Sequence, residues 1–206
     1  MLKKGFTLVE LIVVIAIIGV LAAIIVPSIM GFVHEAKVKA DVANAKRLYE
    51  CIEQLMVEDS DAYNSMHKYN TTKYEVTANT SSGTETYRLV VVARLGGKEK
   101  IANTPSANVQ HGNNEAQDFA DALTEKLKRN VTGSSSKVLI PIKASKINNQ
   151  NVNAWAICLR LEKNEKGWEV ESDDVEIWTF DRNQPGAWKP NYRVYPNSCV
   201  EYENEK

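Results

Sequence analysis

Glu10 is the residue whose type is most out of place in this chain. It lies among apolar side chains that run from Phe6 to Val26 and end at Pro27. A carboxylate inside a membrane-spanning helix costs about 2.5–3.5 kcal/mol on insertion scales. A cationic partner would lower that cost, and so would a place in the first turn, at the positive end of the helix dipole. Glu10 is therefore a candidate for a specific polar contact.

The other residues that could do chemistry are scattered and match no catalytic or metal-binding pattern. Ser-x-x-Lys occurs at Ser65 and Ser134, without the companion motifs of serine acyl-transfer enzymes. Asp59-x-Asp61 begins like a calcium loop but lacks the turn glycine. The three histidines are isolated, and no phosphate-binding glycine loop occurs. We therefore predict no catalytic residue, no metal ligand, no cofactor and no enzymatic activity.

The three cysteines are Cys51, Cys158 and Cys199. They are too few for a disulfide scaffold and lack metal-site spacing. An oxidising location would allow one bridge and leave one thiol over. The spacing selects no pair, so all three pairings stay open, as do buried free thiols.

Composition excludes disorder and gives no sign of nucleic-acid binding. The chain of 206 residues is 44% apolar and 25% charged, with a formal net charge of -1. The apolar residues concentrate in positions 6–33. A helix needs about 20 apolar residues to cross a bilayer, and this stretch is long enough. No second such stretch follows, so we expect everything after it to lie on one side of the membrane, the outside.

Beyond Pro27 the spacing becomes that of an amphipathic helix. The apolar positions of its stripe are Val38, Val42, Ala45, Tyr49, Ile52 and Met56. Charged residues between them, Asp41 and Lys46 included, are predicted to face water. The pattern predicts one helix from about residue 6 to about residue 58. Gly19 weakens it by about 1 kcal/mol relative to alanine, and Pro27 is expected to kink it.

Residues 59–206 are predicted to form a head built on β-strands. We expect a polar loop over 59–83 with one short strand at 74–77. A short helix capped by Asn114 is expected to end near Asn130. The other predicted strands are 86–95, 138–142, 154–161, 168–171 and 175–180. An expected turn at 172–174 separates the last two of these strands, and Pro141 restricts the strand over 138–142 to an edge.

Within the strand over 154–161, alternation places Trp155, Ile157, Leu159 and Leu161 on one face. The tryptophans of the predicted strands are expected in the core rather than on a sugar-binding surface. The tail over 184–206 is expected to be a surface loop with one short edge strand.

The segment from Gly5 to Glu10, GFTLVE, follows a short basic leader and precedes the apolar run. In this order it resembles the class III signal of type IV prepilins, over Lys3 to about Val38. The resemblance implies an α+β pilin fold, a long spine helix (about 6–58) packed on an antiparallel sheet. It also implies that a membrane peptidase cuts between Gly5 and Phe6 and methylates the new amine of Phe6. Glu10 would then pair with that amine on a neighbouring subunit and set the register of assembly.

The resemblance divides the chain into four parts. They are a leader over 1–5, a membrane and filament-core half of the helix over 6–33, an amphipathic half over 34–58 and an extracellular head over 59–206. Gly19 and Pro27 match positions where helices of this family partly unwind in the filament. Many family members close a C-terminal loop with a disulfide, which Cys158 and Cys199 resemble.

The implied function is a structural subunit of a surface filament for adhesion, twitching motility or DNA uptake. Its implied partners are other copies, minor pilins, the prepilin peptidase and the assembly machinery, with its membrane platform and ATPase. The precursor would lie in the inner (cytoplasmic) membrane and the product in the extracellular pilus. One alternative is a pseudopilin of a type II secretion or competence system. Another, from a different class, is a membrane-anchored extracellular enzyme or lectin that keeps its anchor.

Overall fold

The computed structural model describes residues 7–67, 73–96, 109–111, 117–129, 140–163, 169–181, 183 and 189–203. The chain divides into two compact units, residues 1–36 and residues 37–205. The helices are α1 (Leu8–Glu58), α2 (Ser60–His67), α3 (Gln117–Arg129) and α4 (Val200–Glu203). The strands are β1 (Lys73–Thr80), β2 (Gly83–Gly96), β3 (Val109–His111), β4 (Lys146–Ile147), β5 (Gln150–Asn151), β6 (Ala154–Lys163), β7 (Glu169–Phe180) and β8 (Tyr192–Tyr195).

The first unit contains the apolar beginning of α1. The helix has 51 residues and passes through Gly19 and Pro27 without interruption. Proline removes one backbone donor, which is a local loss that a long apolar helix tolerates. The side chains around Gly19 leave it open, with nothing within 4 Å of a Cβ added there. The unwinding expected at these two positions concerns the filament and stays a prediction.

The second unit contains the rest of α1, which packs on the sheet through the predicted stripe. Val38, Ala45 and Ile52 are buried, and Val42 and Tyr49 are half-buried beside them. The stripe and the end of the helix at Glu58 are confirmed. The prediction for Asp41 is wrong, because this residue is fully buried rather than facing water.

The main sheet is antiparallel, with strand order β1-β2-β6-β7-β8 and β3 paired to β2. Trp155, Ile157, Leu159 and Leu161 share the face that joins the core with α1, as the alternation predicted. The short strand predicted in the tail is β8, at one edge of this sheet. The predicted α+β fold, a long helix on an antiparallel sheet, is thus confirmed.

The loop predicted after α1 contains a helix, α2, instead. The Oδ1 atom of Asp59 accepts hydrogen bonds from the backbone N–H groups of Asp61 and Ala62, both at 3.0 Å. Asp59 is thus the N-cap of α2, which satisfies donors that the first turn leaves open. Its carboxylate caps a helix, and the Asp59-x-Asp61 pattern needs no calcium to explain it.

Two further local predictions are wrong. β7 is one strand, because a bulge absorbs the expected turn: Leu159 pairs with Val175 and Leu161 with Glu171. Residues 140–145 form no strand, and the hairpin β4–β5 follows them. The predicted short helix that ends near Asn130 is confirmed as α3, Gln117–Arg129, and its expected cap, Asn114, lies outside the described residues.

None of the three cysteines is in a disulfide, and all three are buried. Cys51 and Cys199 lie in the core between α1 and the sheet. Cys158 lies in a second, smaller core with Ala156 and Trp178. Because neighbouring residues of β6 point to opposite faces, the Cys158 side chain is on the other side of the sheet from Cys199. The expected Cys158–Cys199 bridge is therefore not formed.

Candidate functional site

The first turn of α1 is closed by a reciprocal pair of side chains, Thr7 and Glu10. The Oε2 atom of Glu10 accepts hydrogen bonds from the backbone N and the Oγ1 of Thr7, at 2.8 and 2.7 Å. In return, the backbone N of Glu10 donates to Thr7 Oγ1 at 3.3 Å. This is a capping box, in which the N-cap threonine and the glutamate three residues later satisfy each other's open donors.

The sequence prediction did not include the capping role of Glu10, although the pattern that indicates a capping box is present. Thr7-Leu8-Val9-Glu10 is the pattern Thr-x-x-Glu directly before an apolar run. The two residues of the box both follow the expected cleavage point. Gly5 and Phe6, the residues expected to be cut and methylated, lie outside the described residues.

The apolar side chains of α1 from Leu8 to Val33 are exposed all around the helix. Their exposed fractions range from 44% at Val14 to 73% at Leu8. Gly19 and Pro27 lie in the same exposed stretch. Among the described residues, α1 is the one helix long and apolar enough to cross a membrane. Such a surface is stable only in lipid or against other apolar surfaces.

A second carboxylate on α1, Asp41, holds a distant segment onto the helix. Its Oδ1 and Oδ2 atoms accept hydrogen bonds from the backbone N–H groups of Lys143 and Ala144, at 2.6 and 2.9 Å. One turn along, Asn44 Nδ2 donates to the carbonyl of Pro141 at 2.8 Å. The segment over 140–144 has no ladder of its own, so α1 supplies partners for its backbone groups.

No group of three or more His, Cys, Asp or Glu side chains that could share a metal ion occurs in the part of the chain that the structure describes. Burial raises the pKa of the Cys51 and Cys158 thiols, which keeps them as neutral, weakly nucleophilic groups. The chemistry that the described residues can do is thus helix capping, apolar burial and ionic contact.

Comparison with known families locates two matches along the chain. A family described as a prokaryotic N-terminal methylation motif matches residues 1–26. A family described as a domain of unknown function (DUF4047) matches residues 25–148. No solved structure matches the chain.

Several curated proteins are similar to this chain. The type IV major fimbrial protein FimA of Dichelobacter nodosus is 36% identical over 61 residues, 30% of this chain and 39% of that protein. Fimbrial protein Q of Moraxella bovis is 27% identical over 121 residues, 59% of this chain and 76% of that protein. Prepilin peptidase-dependent protein A of Clostridium perfringens is 38% identical over 58 residues, 28% of this chain and 41% of that protein. The match thus spans about two fifths of two of these relatives and about three quarters of fimbrial protein Q.

The methylation motif, the long apolar helix with its antiparallel sheet, and the similarity to fimbrial proteins together support a type IV pilin. It is a structural protein rather than an enzyme. Because the second match covers more than half of its residues, the chain belongs to the family described as DUF4047.

Proposed function

We propose that this pilin is made as a membrane-held precursor, cut between Gly5 and Phe6, methylated on Phe6 and assembled into a surface filament. The observation that carries the proposal is the bare apolar surface of α1 from Leu8 to Val33. A surface of this kind needs lipid around it before assembly and other copies of the same helix afterwards. Its precursor location is therefore the cytoplasmic membrane, and its final location is the pilus outside the cell.

Glu10 has two tasks in this proposal. Inside its own chain, Oε2 closes the first helical turn with Thr7. Between chains, the carboxylate accepts the positive amine that cleavage creates on Phe6 of a neighbouring copy. Both charges are costly in an apolar filament core, and pairing relieves both costs. A copy added out of register would leave both unpaired, so the pair selects the stagger between subunits.

The other partners follow from the same chemistry. A peptidase must reach Gly5 at the membrane surface, and an assembly platform with an ATPase must supply the work of lifting an apolar helix out of lipid. Minor pilins would share the same helix surface. Adhesion, twitching motility and DNA uptake are the roles open to such a filament.

The first experiment is mass spectrometry of filaments sheared from cells, with the N-terminal peptide of the subunit identified. We expect a peptide that begins at Phe6 and carries one added methyl group. A sheared fraction without this chain, together with a membrane fraction that keeps Met1–Gly5, would overturn the proposal and favour a membrane-anchored extracellular domain. Short filaments made only when a secretion or competence system is expressed would instead favour a pseudopilin.

Two variants separate the tasks of Glu10. Glu10→Ala removes the carboxylate half of the capping box together with the intersubunit partner. Thr7→Val removes both bonds of the threonine hydroxyl and keeps the carboxylate. We expect Glu10→Ala to abolish sheared filaments and Thr7→Val to keep most of them. Equally reduced yields from the two variants would mean that Glu10 acts on assembly only through the helix cap, and a full yield from Glu10→Ala would overturn its role in assembly.

A further inference from the structure

The face of the sheet opposite α1 carries a buried ionic cluster centred on Glu176, which is 3% exposed. Its Oε2 atom accepts hydrogen bonds from Tyr87 Oη at 2.7 Å and from Trp178 Nε1 at 2.8 Å. Its Oε1 atom accepts from Arg160 Nε at 3.1 Å and Nη2 at 2.7 Å. Both oxygens of this carboxylate are therefore fully engaged, which is the condition for burying a charge.

Arg193 enters this cluster from β8. Its Nη1 atom lies 2.9 Å from Tyr87 Oη, 3.3 Å from Glu85 Oε2 and 3.4 Å from Glu176 Oε1. Tyr87 and Glu85 belong to β2, which β6 and β7 separate from β8 in the strand order. Arg193 thus joins strands that are not neighbours, across the curl of the sheet.

The same arginine organises the chain that follows it, residues 192–203, which we call the C-terminal strap. Arg193 Nε donates to the carbonyl of Asn197 at 3.0 Å, and the Arg193 carbonyl accepts from Cys199 N at 3.0 Å. The strap ends in α4, which contacts both β8 and β1. In the part of the chain that the structure describes, the strap pairs with the main sheet through the four-residue strand β8.

The cluster is balanced in charge and held in one geometry. Two guanidinium groups, Arg160 and Arg193, face two carboxylates, Glu85 and Glu176. The guanidinium of Arg160 also lies over the Tyr87 ring, 3.9 Å from its centroid. Burial and the charge of Glu176 raise the pKa of Tyr87, so its hydroxyl stays protonated and donates.

We propose that Arg193 and the Glu176 cluster form a noncovalent latch that fixes the C-terminal strap across the sheet. Removing Arg193 leaves the carboxylates of Glu176 and Glu85 with one guanidinium between them, and the strap loses the side-chain link to β2 that Arg193 provides. Cys199 forms no disulfide and Cys158 lies on the other face of the sheet, so the latch holds the strap without a covalent bridge.

The test is amide hydrogen exchange, followed by mass spectrometry, on the full chain in detergent micelles. In Arg193→Gln, we expect exchange of the strap amides to rise by about tenfold to a hundredfold, the range given by losing charge-assisted hydrogen bonds. The matched control is Arg88→Gln, which removes a guanidinium from an exposed site on β2, and its strap should exchange as in the unmodified protein. Unchanged strap exchange in Arg193→Gln would overturn the latch.

A gentler variant covers the case in which Arg193→Gln unfolds the head, as judged by circular dichroism. Tyr87→Phe keeps the ring under Arg160 and removes only the hydroxyl shared by Arg193 and Glu176, so strap exchange should rise by about fivefold. If Tyr87→Phe leaves the strap as protected as before, the latch is wrong. Adding dithiothreitol to the unmodified protein should change nothing, and faster strap exchange on reduction would show that a disulfide holds the strap instead.

Discussion

Each half of α1 carries a carboxylate in an apolar setting, and the two are satisfied in opposite ways. Glu10 is exposed and bonds to Thr7, three residues away on its own helix. Asp41 is fully buried and bonds to the backbone of Lys143 and Ala144 in a distant segment. The first contact is complete within one turn, whereas the second exists only when the head is folded.

The apolar side chains of the two halves differ in the same way. From Val38 to Leu55 the helix presents one stripe, and the sheet covers it. From Leu8 to Val33 the large apolar side chains are 44% to 73% exposed. The side chains of the second half are therefore packed in a protein core, whereas those of the first half require lipid or other subunits around them. Substitutions in the two halves of α1 should therefore have different effects on the stability of the head.

The largest expected effect is loss of a core side chain in the second half. Ile52 is fully buried between α1 and the sheet, so Ile52→Ala should lower the free energy of unfolding of the head by about 2–5 kcal/mol. Ile17→Ala, at a residue that is 55% exposed, should leave it unchanged. Chemical denaturation in micelles, followed by tryptophan fluorescence, measures both. Equal losses would mean that the head also covers the first half.

Asp41→Ala is expected to have the next largest effect. It leaves two backbone N–H groups without acceptors, and a fully buried N–H without an acceptor costs about 1–3 kcal/mol. Because the bond to Lys143 is only partly buried, the summed loss should lie in the lower part of the range for two groups, at about 2–4 kcal/mol. Asp41→Asn keeps one acceptor oxygen and should recover part of that loss. The same denaturation assay applies. A loss below about 0.5 kcal/mol for Asp41→Ala would show that the segment over 140–144 is held by other contacts.

Thr7→Val should affect only the start of the first half. An N-cap threonine contributes about 1 kcal/mol, which corresponds to about fivefold faster exchange of the first-turn amides. Nuclear magnetic resonance of the protein in micelles can follow the amides of Glu10 and Leu11. Thr7→Ser keeps the hydroxyl and should behave as the unmodified protein. Equal protection in Thr7→Val would mean that the membrane, not the capping box, fixes the helix start.

Glu50→Ala should have the smallest effect of the four. Its Oε1 atom lies 3.7 Å from Lys46 Nζ one turn away, and both side chains are more than half exposed. Ion pairs of this kind contribute about 0.5 kcal/mol or less because water and salt screen them. A loss above about 1 kcal/mol in the denaturation assay would place Glu50 in a contact that the exposed helix face does not reveal.

The periodic features of this fold were predictable, since regular spacing reports which face is covered. The stripe of α1 and the shared face of Trp155, Ile157 and Leu159 were both correct. Asp41 was not, because a single charged residue within a helical pattern reads as exposed unless its distant partner is known. That partner is a backbone segment over 140–144, and backbone donors carry no sequence signal.

Local exceptions were harder for a different reason. Ser172 to Asp174 has turn composition, yet a bulge opposite Leu159 and Leu161 keeps β7 continuous. Pairing with a neighbouring strand overrides local preference, and that neighbour cannot be read from the segment itself. Glu10 is the reverse case. Its capping box with Thr7 is entirely local and is present in the sequence as Thr-x-x-Glu. The apolar residues around Glu10 nevertheless favoured a different interpretation, in which the carboxylate pairs with a neighbouring subunit.

The hydrogen bond between Asp41 and Ala144 also indicates the order in which parts of α1 reach their final contacts during folding. Its partners are 103 positions apart in the sequence, and contacts of such separation form late because a long loop must close first. The capping box at Thr7 can close as soon as its own turn exists. A growing chain would therefore have a finished helix start long before its helix middle finds partners. The apolar stripe beyond Val38 stays exposed until the sheet has folded. The first half of α1 therefore forms its local contacts quickly, whereas the second half reaches its final packing slowly.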